Sequence, residues 1–80
     1  MNIRNEIYNE FKKKNLHGWH PREYLVFMDE LKHKYKVDIS QVQNEILLLN
    51  QEKKLKIKEH SGDNPIYLLS DELKIELQIK

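Results

Sequence analysis

Eighty residues, 39% of them apolar, provide for one small domain and no second one. The absence of cysteine excludes disulfide staples, thiolate metal sites and cysteine nucleophiles, and the longest apolar run, Tyr24 to Met28, is far short of the roughly 20 residues of a membrane span. Fourteen basic residues against thirteen acidic ones leave a formal charge of +1, too near neutral to mark nucleic-acid or membrane binding by itself.

Ile3, Ile7 and Phe11 recur at i, i+4, i+8 with Tyr8 beside them, which predicts a first helix. Asn2 is placed to cap it. Its end is expected near Asn15, where Lys12, Lys13 and Lys14 complement the negative end of the helix dipole. Leu16 to His20 is a connector with room for a very short strand, and Trp19 is its natural core anchor. Pro21 opens a second helix, with His20 as cap and Glu23 in the favourable first turn. Tyr24, Leu25, Met28, Leu31 and Tyr35 form its expected core stripe, flanked by Phe27. Lys32, His33, Lys34 and Lys36 crowd its C-terminal end.

A tight turn at Lys36-Val37-Asp38 leads to a third helix, where Asp38 with Gln41, or Ser40 with Gln43, has capping-box spacing. Ile39, Val42, Ile46 and Leu49 fall within about 80° on a helical wheel and are expected to face the core. Ser40, Gln41, Asn44, Leu47, Leu48 and Gln51 face outwards. From Lys54 the apolar period shortens from about 3.6 to 2. A strand is predicted there, with Leu55 and Ile57 inward and Lys54, Lys56 and Lys58 on the other face. Ser61-Gly62-Asp63-Asn64 has turn chemistry and Pro65 suits a strand entrance, so Ile66 to Leu69 complete a hairpin. In the tail, Ser70-Asp71-Glu72 has the composition of a helix start. Leu73, Ile75, Leu77 and Ile79 nevertheless alternate strictly with polar residues, which predicts a third strand, with a short helix as the alternative.

Helix, connector, helix, tight turn, helix, hairpin resembles the order of a winged helix-turn-helix domain. The likeness is carried by Ile39-Ser-Gln-Val-Gln-Asn-Glu-Ile-Leu-Leu-Leu-Asn-Gln-Glu-Lys-Lys-Leu-Lys-Ile57, similar to that superfamily's third helix running into its first wing strand. Pro65-Ile-Tyr-Leu-Leu69 is similar to the returning strand. The second helix is long for the class, and the alternating tail stands where many members add a helix. The resemblance implies an α+β fold: one domain over residues 1–80, three helices, a β-hairpin wing and a C-terminal strand or short helix. It further implies a small cytoplasmic transcriptional regulator of bacterial or phage type, with its third helix in the major groove of double-stranded DNA and its wing on the backbone.

On that reading Gln41, Asn44 and Gln51 each present a donor and an acceptor to a base edge, and Ser40 can bond base or phosphate. Lys54, Lys56 and Lys58 on the wing, with Lys34 and Lys36 before the third helix, can neutralise phosphates. A homodimer is expected, since palindromic sites match two-fold symmetry; the tail, or Leu47 with Leu48, would supply its interface. Those two leucines also carry the alternative, a protein-interaction module docking a partner through the third helix, because adjacent exposed leucines mark protein contacts. Glu45, Glu52 and Asp63 weigh against DNA, and the near-neutral charge fits the alternative. Trp19, Tyr8 and Tyr67 would stack on single-stranded bases only if exposed.

No enzyme, metal or cofactor is expected. His17 and His20, spaced i, i+3, with His33 and His60 elsewhere, fall short of a zinc ligand set. Ser61 beside His60 and Asp63 has the letters of a nucleophilic triad without its geometry. Two glycines cannot make a phosphate-cradling loop. No secretory pattern opens the chain, which fits the cytoplasm.

Overall fold

Asn2 caps the first helix in the computed structural model, which describes residues 2–58 and 65–80. Its side-chain oxygen accepts from the Asn5 amide at 3.2 Å and satisfies one of the free first-turn donors. The chain then runs α1 (Ile3–Lys14), β1 (Gly18–Trp19), α2 (Pro21–Tyr35), α3 (Ile39–Gln51), β2 (Leu55–Lys58), β3 (Ile66–Leu69) and α4 (Asp71–Glu76). Among the described residues this is a small α+β domain of four helices and one three-stranded antiparallel sheet, ordered β1-β3-β2. None of those helices is long and apolar enough to cross a membrane. The expected turn Ser61-Gly62-Asp63-Asn64 lies outside the described residues, as does His60.

With only two glycines, the chain ends its helices on other residues. Asn15, Lys53 and Gln78 take left-handed φ values of 51°, 63° and 58°. At each, two amides fold back onto the last turn: Asn15 and Leu16 onto Lys12 and Phe11, Lys53 and Lys54 onto Asn50 and Leu49, Gln78 and Ile79 onto Ile75 and Lys74. This paired return is the Schellman closure, here made three times without glycine at a cost of about 1 kcal/mol per residue. The second such closure turns α3 directly into β2.

The sheet register explains which side chains reach the core. Trp19 and Ile57 both pair with Tyr67, and Leu55 pairs with Leu69, so these five share the inner face. Gly18 and Lys56 flank Leu68 on the outer face, with Lys58 opposite Ile66. A Cβ at Gly18 would collide with the Tyr67 carbonyl oxygen, so glycine is required by the close approach of β1 to β3. Trp19 is the hub of the core. It is fully buried, with ring centroids 4.4 Å from Phe11, 4.8 Å from Phe27 and 5.7 Å from Tyr24. Tyr24 continues the cluster to Tyr67 at 5.1 Å, and burial pushes its phenol up to about 12.

Four expectations are corrected. The tail is helix α4, not a strand: the Ser70 hydroxyl accepts from the Leu73 amide at 3.1 Å, and Asp71 and Glu72 occupy the first turn. Leu73 and Leu77, four apart, are buried on one side of it, and Ile75 is 77% exposed on the other. An alternation of period 2 contains i, i+4 pairs, so a capped helix satisfies the same four residues. Ile39 is exposed at the first position of α3, on the edge of the stripe formed by Val42, Ile46 and Leu49, although Val37 just before it is buried. In α2 the core stripe passes through Phe27, Met28 and Leu31, and Leu25 and Tyr35 are exposed. Ile57 is also exposed, since burial fades along the hairpin from the Leu55–Leu69 pair outwards.

Candidate nucleic-acid interface

α3 begins at a cap in which the Gln41 side-chain oxygen accepts from the Asp38 amide at 3.2 Å. Of the two spacings open in the sequence, Asp38 with Gln41 is thus the one used. Val42, Ile46 and Leu49 are buried beneath the helix. Leu47, Ser40, Gln51 and Asn44 fall within about 60° on the opposite side at 3.6 residues per turn, with Leu48 next to them. All five are exposed. The outward stripe is therefore uncharged, made of amides, one hydroxyl and two leucines. Gln41 is exposed too, but its oxygen is committed to the cap, which leaves its amide group as donor.

The lysines divide. Lys36, left-handed at φ 54°, is exposed in the turn that aims α3. Lys56 and Lys58 are exposed on the outer face of β2, which packs beside α3. Among the described residues none of these three makes an ion pair. Lys54, expected on the same face, is instead turned to α4. Its Nζ lies 3.4 Å from Glu76 Oε2 and close to the Tyr8 phenol, which, with Glu76, raises its pKa above the usual value. Lys34 lies over the Tyr35 ring, 5.0 Å from its centroid, and lines the groove between α1 and α2. The Tyr35 hydroxyl in turn donates to Glu6 at 3.1 Å. Ser40, Asn44, Gln51, Lys36, Lys56 and Lys58 are thus exposed, whereas Lys34 and Lys54 turn to Tyr35 and Glu76.

Two features were not singled out in the sequence. Lys53, exposed between α3 and β2, adds a cation at the C-terminal end of α3. More consequential is Arg4. Its Nε donates to Glu45 at 2.8 Å, while Nη1 and Nη2 donate to the two oxygens of Glu52 at 2.9 and 2.6 Å. The Arg4 guanidinium holds the Glu52 carboxyl below its ordinary range and is itself raised, first by Glu52. The signal was present: Glu45 and Glu52 are seven apart, hence on one stripe of α3, and Arg4 sits in the first turn of α1 with one other arginine in the chain.

The remaining candidates have structural partners. His17 Nε2 lies 2.8 Å from the main-chain oxygen of Lys80, a bond in which the ring supplies the hydrogen. The Asn15 side chain donates to the same oxygen at 3.2 Å and accepts from the Lys80 amide at 2.9 Å, tying the end of α4 to the α1–β1 connector. His20 receives Glu23 on its main-chain amide at 3.1 Å. Among the described residues no three His, Asp or Glu side chains are grouped to hold a metal ion. Trp19 is buried and Tyr8 and Tyr67 are half-buried, so these rings do not form an open stacking platform. Of the tail's apolar residues, Leu73 and Leu77 are consumed by the core and Ile75 is left outside. Comparison with protein families, curated proteins and solved structures finds no match for this chain.

Proposed function

We propose that this is a winged-helix DNA-binding domain, a small transcriptional regulator whose α3 enters the major groove of duplex DNA while the β2–β3 hairpin follows the backbone. The observation that carries it is an uncharged, amide-bearing outer stripe on α3, preceded and followed in the chain by exposed lysines, Lys36 before it and Lys56 and Lys58 after it. Asn44 and Gln51 have the donors and acceptors for base edges, and the lysines have the charge for phosphates. The order α1-β1-α2-α3-β2-β3, with β3 central, supports the same reading, and α4 stands where many winged-helix members carry a further helix.

Binding to a random-sequence duplex across a salt series tests it. With about three lysine–phosphate contacts, log K should fall with log salt at a slope near −2.7, roughly a fortyfold loss between about 50 and 200 mM. No binding at about 50 mM salt would defeat the reading.

A second reading, a protein-docking or self-associating module, is favoured by one observation: Leu47 and Leu48 are 50% and 46% exposed on the same stripe. Leu48→Asp separates the two. It should leave the thermal midpoint within a few degrees of the parent, because the side chain is outside the core. If the parent is dimeric by light scattering and the variant monomeric, the leucines are an interface; if both have the same mass, they are not one for self-association.

A further inference from the structure

We propose that Arg4 is an electrostatic positioning residue of the DNA-binding face, pairing Glu45 and Glu52 and so halving the negative charge on the flank of α3 from −2 to −1. The inference rests on the DNA-binding reading above and explains how a helix that carries Glu45, with Glu52 at its C-cap and no cation between its ends, can approach phosphate.

Glu45 and Glu52 project from the α1 side of α3, about 100° around the helix from the outward stripe. A helix with its side chains is only about 10–12 Å across, so both carboxylates stand within about one Debye length of a phosphate seated against the outer face. Left unpaired, they would oppose the attraction of Lys36, Lys56 and Lys58. Arg4 answers both at once because its guanidinium carries five donors in a planar fork. Two of them bond the Glu52 oxygens in parallel, and Nε is left for Glu45. A lysine, as a single point charge, has no equivalent geometry. The side chains of Arg4 and Glu45 are only about a quarter exposed, at 25% and 23%, so this ion pair is less screened than a fully solvated one.

The test compares three proteins on a random-sequence duplex at about 50 and 200 mM salt: the parent, Arg4→Met, and Arg4→Met combined with Glu45→Gln and Glu52→Gln. Methionine keeps an unbranched stem of similar reach without the charge. Arg4→Met should bind about tenfold more weakly at the lower salt, and the deficit should shrink at the higher salt as the carboxylates are screened. The triple variant, neutral at these three positions where the parent carries −1, should bind at least as tightly as the parent, which a purely structural role for Arg4 does not predict. Equal binding by parent and Arg4→Met overturns the proposal. So does a loss that the triple variant fails to restore while its circular dichroism remains native. Loss of native dichroism in the triple variant also overturns it, because Arg4 would then act through folding. A parent that does not bind duplex at the lower salt overturns the DNA reading itself, and the role of Arg4 with it.

Discussion

Trp19→Ala is expected to cost about 3–5 kcal/mol and to lower the thermal midpoint by at least 12 °C or so, the largest effect of any single truncation in this domain. A chain of this size has only about 4–12 kcal/mol of stability in total, so the variant should be partly unfolded at 37 °C. The reason is the position of the ring rather than its polar atom. Trp19 joins β1 to Phe11 of α1 and to Tyr24 and Phe27 of α2. Its Nε1 is buried without a hydrogen-bond partner among the described residues. Trp19→Phe therefore loses volume but no bond, and should cost well under half as much. Melting by circular dichroism measures both. An alanine variant that melts within a few degrees of the parent would show that the core is not organised around this ring.

Reversing Lys36, Lys56 and Lys58 together to glutamate is expected to abolish duplex binding at about 50 mM salt, where the parent should bind. Each change shifts the formal charge by −2, taking the chain from +1 to −5. The fold should survive, since all three side chains are exposed and none makes an ion pair among the described residues. A control separates local from global charge. Lys12 and Lys13 are equally exposed but lie at the end of α1. Reversing those two should weaken binding by no more than a few-fold. Equal loss per charge in both variants, read from titrations at the same salt, would mean that net charge and not this face governs binding. Lys54 is left out of the triple because its bond to Glu76 makes its reversal a change in the packing of α4 as well.

How much of this was legible in the sequence follows from the range of each interaction. Helix starts were readable because their chemistry is local: Asn2, the residues around Pro21, and Asp38 with Gln41 all cap where their spacing placed them. The hub role of Trp19 was legible from its size alone. The tail was not, because Leu73, Ile75, Leu77 and Ile79 satisfy both a strand and a capped helix, and only the buried socket for Leu73 and Leu77 decides between them. Phase errors at Leu25 and Ile39 have a related cause: both lie within the apolar arc of their helices yet at places where no neighbouring element covers them. At the candidate site, Ser40, Asn44, Gln51, Lys36, Lys56 and Lys58 stand outward as expected. Lys34 and Lys54 were displaced by long-range partners, the α1–α2 groove and Glu76, that no local pattern encodes. Arg4 belongs to the same class, since its carboxylates lie 41 and 48 residues away.

Backbone and side-chain amide shifts, followed while a random-sequence duplex is titrated into the labelled chain at low salt, test the assignment of the face most directly. Ser40, Asn44, Gln51 and the Lys36, Lys56 and Lys58 amides should move together and saturate at one affinity, with the α1–α2 groove around Asn9 and Glu30 unmoved. Shifts gathered at that groove, or none at any residue of α3 and β2, would contradict the account.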